Sequence, residues 1–365
     1  MRLSWTLSAY FGRQFTFWVL GTFCAIMAIV FLLDLIELLR RGAAKENAHF
    51  AVLLQMALLK MPHMGQQILP FAMLFGSMMA FTRLTRTNEL VVARAAGVSV
   101  WQFLMPAIAV ALLIGAFKVA VFNPIASVMI ARFNVLEDTI LRNRVDSFLS
   151  VGQGGLWIRE RTETGQNVLH ARATRQDDAE LANVLVMSFG RNDRFEERID
   201  AARARLHDGY WELLDAVVTS AVGRPELRDR VRIPTRLTIE NIQDSFASPE
   251  TMSFWELPGF IRILENAGFS AVKHRLYWHA LLASPLLLTA MVLIAATFSL
   301  RLTRRGSTLA WAASGLFFGF VLYFVTDIVF ALGLSASIPA VLAAWTPATV
   351  TMLLGMTSLL HLEDG

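Results

Sequence analysis

Six apolar stretches, each long enough to cross a bilayer as a helix, stand in two groups of three on either side of a long polar interval. They fix the solvent in which the chain folds, because a hydrocarbon core about 30 Å thick takes roughly 20 apolar helical residues to cross. The stretches cover about 14–38, 50–82, 99–123, 276–300, 307–332 and 338–360. The second is over-long and carries Lys60, Pro62, His63 and Pro70, while the last two are parted by GLSASIP, with Gly333 and Pro339 as breakers. Composition agrees: 55% of the residues are hydrophobic and 17% charged, more apolar surface than one soluble core of this length can hide. The uncharged run Phe15 to Leu33 is longer than a signal-peptide core and no small-residue cleavage site follows, so it is expected to be a retained first span.

Arginine placement orients the spans. Short segments on one side hold Arg2, Arg13, Arg83, Arg86, Arg94, Arg301, Arg304 and Arg305, against Arg40, Arg41 and Lys45 on the other. That imbalance puts both termini and the 83–98 segment in the cytoplasm, and the long interval outside. The interval, about 131–275, contains short β-prone runs such as GLWIRE, NVLVMSFG and RARLHDGYWELLDAVVTS, broken by Gly, Asn, Asp and Pro, which predict a β sandwich or jelly roll. SFWELPGFIRILENAG near its end reads as a helix capped by Ser253 and stopped by Gly268. The expected fold class is therefore an α-helical polytopic membrane protein with six transmembrane helices and an inserted all-β, jelly-roll-like domain. Its parts are helices 1–3 in 1–130, the β domain with flanking helical segments in 131–275, and helices 4–6 in 276–365.

Catalysis is largely excluded. The chain has no phosphate loop, HExxH, GxSxG or GxGxxG motif, and its closest histidines, His274 and His279, are five apart rather than the four of a helical metal site. Cys24 is alone, so no disulfide or cysteine metal site is expected. Several ionisable groups lie in or near the bilayer: Asp34, Glu37, Arg40 and Arg41 at the end of the first span, Lys60 and His63 in the second, Lys118 in the third and Asp327 in the fifth. A charge at a helix centre costs about 2.5–3.5 kcal/mol, so such groups face a partner or a polar cavity. Lys118 and Arg40 can also snorkel to the outer interface. Asp327 is deep enough that a structural hydrogen bond and a cavity-lining role stand equal.

Between the second and third spans the chain reads TRTNELVVARAAGVSVWQ. Thr87 or Asn88 can cap a short helix, Glu89 suits its N-terminal end and Gly97 can stop it. Either this is an interfacial turn, or it is a docking helix for the groove of a cytoplasmic partner that supplies the work of ATP hydrolysis.

NELVVARAAGVS resembles the SELVVxxAxG signature of the LptF/LptG family, the permease subunits of the bacterial lipopolysaccharide exporter. LLDLIELLRRG is similar to the end of that family's first span, ILPFAMLFGSMMAFTRL to its second, QGGLWIRE to the first strand of its periplasmic domain, and GLFFGFVLYFVTDI and IPAVLAAWTP to its fifth and sixth spans. The last two look closer to the LptG than to the LptF branch. The resemblance implies a bacterial inner-membrane permease paired with an LptF-like partner. The pair would carry a dimeric cytoplasmic ABC ATPase that binds the ATP and Mg, with no cofactor on this chain and no nucleic acid. Lipopolysaccharide would enter between first and fifth spans and pass to periplasmic jelly-roll bridge proteins like LptC and LptA.

On the same resemblance, Arg83, Arg86, Asn88, Glu89, Arg94 and Gly97 form the ATPase-coupling set, with Glu89 most exposed to the ATPase groove. Arg40 and Arg41 face the lipid phosphates, with Asp34 and Glu37 beside them. Phe317 and Phe320 in GLFFGF offer surface to acyl chains, although the same segment also suits ordinary packing by small residues. Asp34 departs from members that carry a basic residue there; it either turns to another helix or faces a differently charged lipid. Two other classes stay open: an ion-coupled carrier using Asp327 and Lys118, and a sensor whose β domain binds ligand.

Overall fold

The structure is a computed structural model. It describes the chain apart from residues 1–4, 44, 46, 47, 96, 143–146, 153, 154, 162–164, 176–179, 191–193, 222, 236, 238–246, 267, 268, 300–307, 364 and 365. Arg2, Gly268, Arg301, Arg304 and Arg305 thus lie outside the described residues. Two compact units divide the chain: Met1–Asn134 with Arg275–Gly365, and Val135–His274.

The first unit is helical. Its spans are α1 (Trp5–Gly42), α2 (Phe50–Arg86), a third built from α4 (Val100–Phe117) and α5 (Asn123–Leu136), then α7 (Val272–Ser299), α8 (Thr308–Leu334) and α9 (Ala340–Glu363). The short α3 (Glu89–Ala95) joins the second span to the third. Six helices are long and apolar enough to cross a membrane, as the sequence predicts. The second does so unbroken, with Pro62 and Pro70 inside a helix of 37 residues. Ser99 starts α4 with a reciprocal capping box, its hydroxyl accepting from Gln102 N–H while Gln102 Oε1 accepts from Ser99 N–H. The third span stays helical by passing through a π-helical segment, Lys118–Phe122.

Lipid is as apolar as leucine, so these helices cannot associate by hiding leucine from it; close contact through small residues and dispersion does the work. Gly76 of α2 sits so near α1 that a Cβ there would stand 2.6 Å from Val19 Cα. At Gly115 of α4 a Cβ would stand 2.5 Å from Pro285 Cα of α7. Burial is uneven across the spans: 67% of the apolar stretch of α7 is buried, against 6% for α1 and 11% for α8.

The second unit is a seven-stranded antiparallel sheet: β1 (Ser147–Gly152), β2 (Gly155–Arg161), β3 (Gly165–Arg175), β4 (Glu180–Gly190), β5 (Phe195–His207), β6 (Tyr210–Ser220) and β7 (Glu226–Pro234). The all-β expectation holds, with a simpler connectivity than a jelly roll: every described strand pairs with its sequence neighbour, a meander. The sheet folds over on itself, because Glu160 of β2 accepts a hydrogen bond of 2.6 Å from Thr235 Oγ1, just past β7. A small cavity inside the fold is lined by Ile158, Leu169, Val186, Trp211 and Ile233, with Glu160 and Asn167.

A crease crosses the middle strands. Asn183 of β4 and Asp215 of β6 have positive φ (51° and 53°), and bridging skips them and Ala202 of β5 without changing register. The inward residues slip phase there, from Leu181 to Val184, Ala201 to Ala204 and Leu213 to Ala216. Asn and Asp are the non-glycine residues that adopt this left-handed backbone most readily. After the sheet, Ser253 caps α6 (Leu257–Asn266), its hydroxyl accepting from Glu256 N–H and its own N–H donating to Glu256 Oε2, as the sequence suggests.

Gly76→Ala and Gly115→Ala are each expected to destabilise the helical unit by about 1–3 kcal/mol, because the opposing atoms are backbone. Gly21→Ala, with nothing within 4 Å of its added Cβ, serves as the silent control. Thermal unfolding of the purified chain in one detergent reads all three.

Candidate functional site

At one end of the helical unit, α3 follows the end of α2 and packs against it. Thr87 ends α2, its hydroxyl donating to Arg83 O (3.0 Å) and to Glu89 Oε1 (2.9 Å). Asn88 follows with φ 59°, a conformation that asparagine tolerates better than serine, and its carbonyl accepts from Val92 N–H at 3.0 Å to open α3. Gly97, at φ 81°, stops the helix: Val98 N–H reaches back to Ala93 O at 3.1 Å, the six-to-one bond of a Schellman end. Gly97 thus stops the helix as expected, whereas neither Thr87 nor Asn88 caps α3 with its side chain among the described residues: the Thr87 hydroxyl donates, and Asn88 contributes its backbone carbonyl.

The faces of α3 differ from expectation. Leu90 and Ala93 are buried, while Val92 is 68% exposed and Ala95 is exposed. Glu89 is only half-exposed, because it is turned back onto Thr87; Val92, not Glu89, is the outermost large side chain described on α3. Arg83 and Arg86 stand exposed beside it, and Arg94 occupies the last turn of the helix.

Leu90 has a further connection that sequence reasoning missed. It belongs to one buried cluster with Phe11 and Phe15 of α1, Phe81 and Leu84 of α2, and Phe103 of α4. The rings of Phe11 and Phe103 meet edge to face at 4.7 Å, and Phe81 lies 6.0 Å from Phe103 and 6.1 Å from Phe15. The inner face of α3 thus belongs to the same buried core as an aromatic group that spans three helices. The signal in the sequence was only four phenylalanines scattered over three apolar runs.

At the opposite end of α1, Glu37 gathers both arginines. Arg40 donates twice, Nε to Oε2 and Nη2 to Oε1 at 2.9 Å each, and Arg41 Nε donates to Oε1 at 2.8 Å. The guanidiniums stay exposed, at 76% and 53% of their side-chain surface. One carboxylate thus sets the orientation of two exposed guanidiniums, whose planar fork is the geometry that suits phosphate oxygens.

Asp34 does not join them. It turns inward to α2 and forms an ion pair with Lys60, whose ammonium also lies 5.5 Å from the centre of the Phe133 ring. This answers the departure seen in the sequence: the acid faces another helix, and Lys60 is the partner that spacing gave no means of finding, 26 residues away. Lys118 also departs from expectation. It does not snorkel but is buried, 8% exposed, at the head of the π-helical segment. Lys118 and Asp327 make no ion pair with each other among the described residues.

The GLFFGF segment presents two different faces of α8. Gly315 and Gly319 pack on α2, where an added Cβ would meet Met78 Sδ at 2.5 Å and Leu74 and Phe71 at 3.4 Å. Phe317 and Phe320 point away, 70% and 64% exposed, and Phe320 stacks on Phe324.

Lys60→Met strands Asp34 as a buried carboxylate and is expected to destabilise the helical unit by about 2–3 kcal/mol, the low end for a broken buried pair because Lys60 keeps some exposure. Asp34→Asn in the same chain should recover most of that loss. A double-mutant cycle on unfolding in detergent measures the coupling.

Residues 9–361 match the family model described as lipopolysaccharide export system permease LptF/LptG. The chain is similar to the lipopolysaccharide export system permease protein LptG of Escherichia coli (strain K12), 23% identical over 364 residues, covering 97% of this chain and 98% of the relative. It is also similar to the protein of that name from Haemophilus influenzae, 22% identical over 356 residues, covering 94% of this chain and 95% of the relative. A match that runs almost from end to end, on six apolar helices with a β domain inserted after the third, leads to one conclusion: the chain belongs to the LptF/LptG family of lipopolysaccharide export permeases.

Proposed function

We propose that this chain is the LptG-like half of a permease pair that lifts lipopolysaccharide out of the bacterial inner membrane, driven by a dimeric cytoplasmic ATPase docked on α3. The chain performs no chemistry. ATP and Mg are held by the ATPase, the termini and α3 face the cytoplasm, and the β domain stands in the periplasm, where jelly-roll bridge proteins take the lipid onward.

The observation that carries this reading is the burial of Leu90 in the aromatic knot. A docking helix transmits work only if its inner face is packed against elements that must move. Leu90 shares one buried cluster with Phe11 and Phe15 of α1, the least buried of the described spans, and this shared core is the route by which a push on α3 would reach the helix that faces the lipid. Arg83, Arg86, Asn88 and Arg94 supply polar contacts around the outer face of Val92, and Gly97 fixes its end. At the other end, Arg40 and Arg41 bind phosphates, Glu37 orients them, and Phe317 and Phe320 meet acyl chains. Asp34 serves as the anchor that holds α1 to α2 rather than as a lipid contact.

A pull-down from native membranes in mild detergent is the direct test. A nucleotide-binding subunit and a second six-span permease should co-purify; a lone chain or a homodimer would sink the proposal. Val92→Arg is expected to reduce ATPase recovery about tenfold, the weight of one desolvated hot-spot contact, without altering the helical content of the chain. Glu89→Arg should do the same by repelling Arg83 and Arg86 and undoing the Thr87 turn. Arg40→Glu with Arg41→Glu should slow ATP-dependent lipopolysaccharide release from proteoliposomes about tenfold or more, since each charged hydrogen bond is worth about 1.5–3 kcal/mol.

A further inference from the structure

Trp255 is 65% exposed, although an indole carries a large apolar body that water solvates poorly. It stands in the turn that opens α6. Glu256 N–H and Leu257 N–H both donate to Ser253 O at 3.1 Å, and the Phe254 ring meets the indole edge to face at 5.1 Å. The indole is therefore presented on a hydrogen-bonded turn. Leu257, Ile261 and Leu264 bury one side of α6, and Phe260 ties the helix to the mouth of a span. Its ring lies 5.1 Å from that of His274, the third residue of α7, whose Nε2 is 3.0 Å from Ala247 O. The start of α7 reads VKHRLYWH, and the uncharged run begins at Ala280. From there to Ser299 are 20 residues, about 30 Å of helix and the whole thickness of the hydrocarbon. His274 then stands six residues, about 9 Å, outside that core. The polar layers add about 10–15 Å to a bilayer in total, so α6 is held at the outer level of the lipid headgroups.

We propose that Trp255 is a membrane-surface anchor, its indole lying among the phospholipid headgroups beside the mouth of α7. Three observations favour the bilayer over a protein as its occupant. The chain itself brings the headgroup layer to α6, through the contact between Phe260 and His274 and the helix that His274 begins. An indole suits that layer, where its ring leaves water and its N–H still finds a polar partner. The exposed Lys273 and Arg275, on the first turn of α7, stand at the level of lipid phosphates. Glu256 is the acid next to the indole, and its carboxylate is turned into the helix cap, accepting from Ser253 N–H at 3.0 Å. The effect is to fix α6 at one height on the membrane. The proposal needs only that α7 crosses a bilayer, and it stands apart from the ATPase and the permease pair.

The test reads lipid depth at Trp255 in the full chain. Cys24, the single cysteine, is removed as Cys24→Ser, and Trp255→Cys then carries the environment-sensitive fluorophore NBD. The protein is placed in vesicles of phosphatidylcholine and phosphatidylglycerol. Emission should shift to the blue relative to the same label at Leu227, the 77% exposed residue of β7. A nitroxide on the lipid headgroup should quench it more than one deep in the acyl chains. As a second readout, p-benzoylphenylalanine at Trp255 keeps an aromatic ring in place and is irradiated in native membranes. Its adducts, mapped by mass, should fall on phospholipid, and this readout decides alone if the cysteine variant does not fold. A label as wet as the one at Leu227, quenching strongest from the deep nitroxide, or the absence of lipid adducts overturns the proposal. Adducts to protein alone would make Trp255 a docking residue for a partner instead.

Discussion

In hydrocarbon a helix gains nothing by hiding a leucine, and the helical unit is built around that constraint. Its spans are held where a glycine admits a close neighbour: backbone at Gly76 on Val19 and at Gly115 on Pro285, and the Met78 side chain at Gly315. Each contact gains dispersion that a lipid tail cannot match as closely. The Asp34–Lys60 ion pair adds an attraction that is stronger in lipid than in water. Both devices concentrate on α2, which touches α1 through Gly76 and Lys60 and touches α8 through Met78, Leu74 and Phe71. The second span is therefore the post on which the two lipid-facing spans hang. Its unbroken passage through Pro62 and Pro70 follows from the neighbours that brace it.

Function on this scaffold divides by height. At the α3 end, side chains offer apolar packing, with Leu90 in one buried cluster with Phe11, Phe81 and Phe103. At the other end, side chains offer charge. Glu37 keeps Arg40 and Arg41 from wandering, so the cations present a fixed fork instead of two loose tethers. Asp34, three residues below Glu37 on the same helix, does the opposite job, taking a cation out of play. Two acids one turn apart thus have unrelated roles, decided by which way each points around α1.

Much of this was legible in the sequence, for physical reasons. Span number, the turn at Thr87 to Gly97 and the Ser253 cap depend on local composition and local hydrogen bonds, which a linear reading carries. What stayed hidden depends on the third dimension. Nothing in the alternation around Lys60 marks Asp34 as its partner, and nothing in ELVVARA says that Leu90 turns inward while Val92 turns out. The strands of the β domain were recognisable, but their inward face was not: Asn183 and Asp215 shift the alternation by one residue mid-strand, so a strict two-residue period assigns half of each strand to the wrong face. Lys118 looked like a snorkelling residue because its distance from the span's end permits it; the π-helical turn at Lys118–Phe122 carries it into the bundle instead.

The meander has a consequence for how the chain is made. Every pairing in the sheet joins a strand to the one synthesised just before it, so closing each hairpin demands only a short loop. The sheet has low contact order and can zip up strand by strand as it emerges, before α7 exists to complete the bundle. The clasp between Glu160 and Thr235 joins residues 75 apart in sequence and needs both ends of the described sheet in place. A domain inserted in the middle of a membrane protein thereby matures on its own schedule, and the three spans that follow it are free to insert without waiting for a distant strand to find its place.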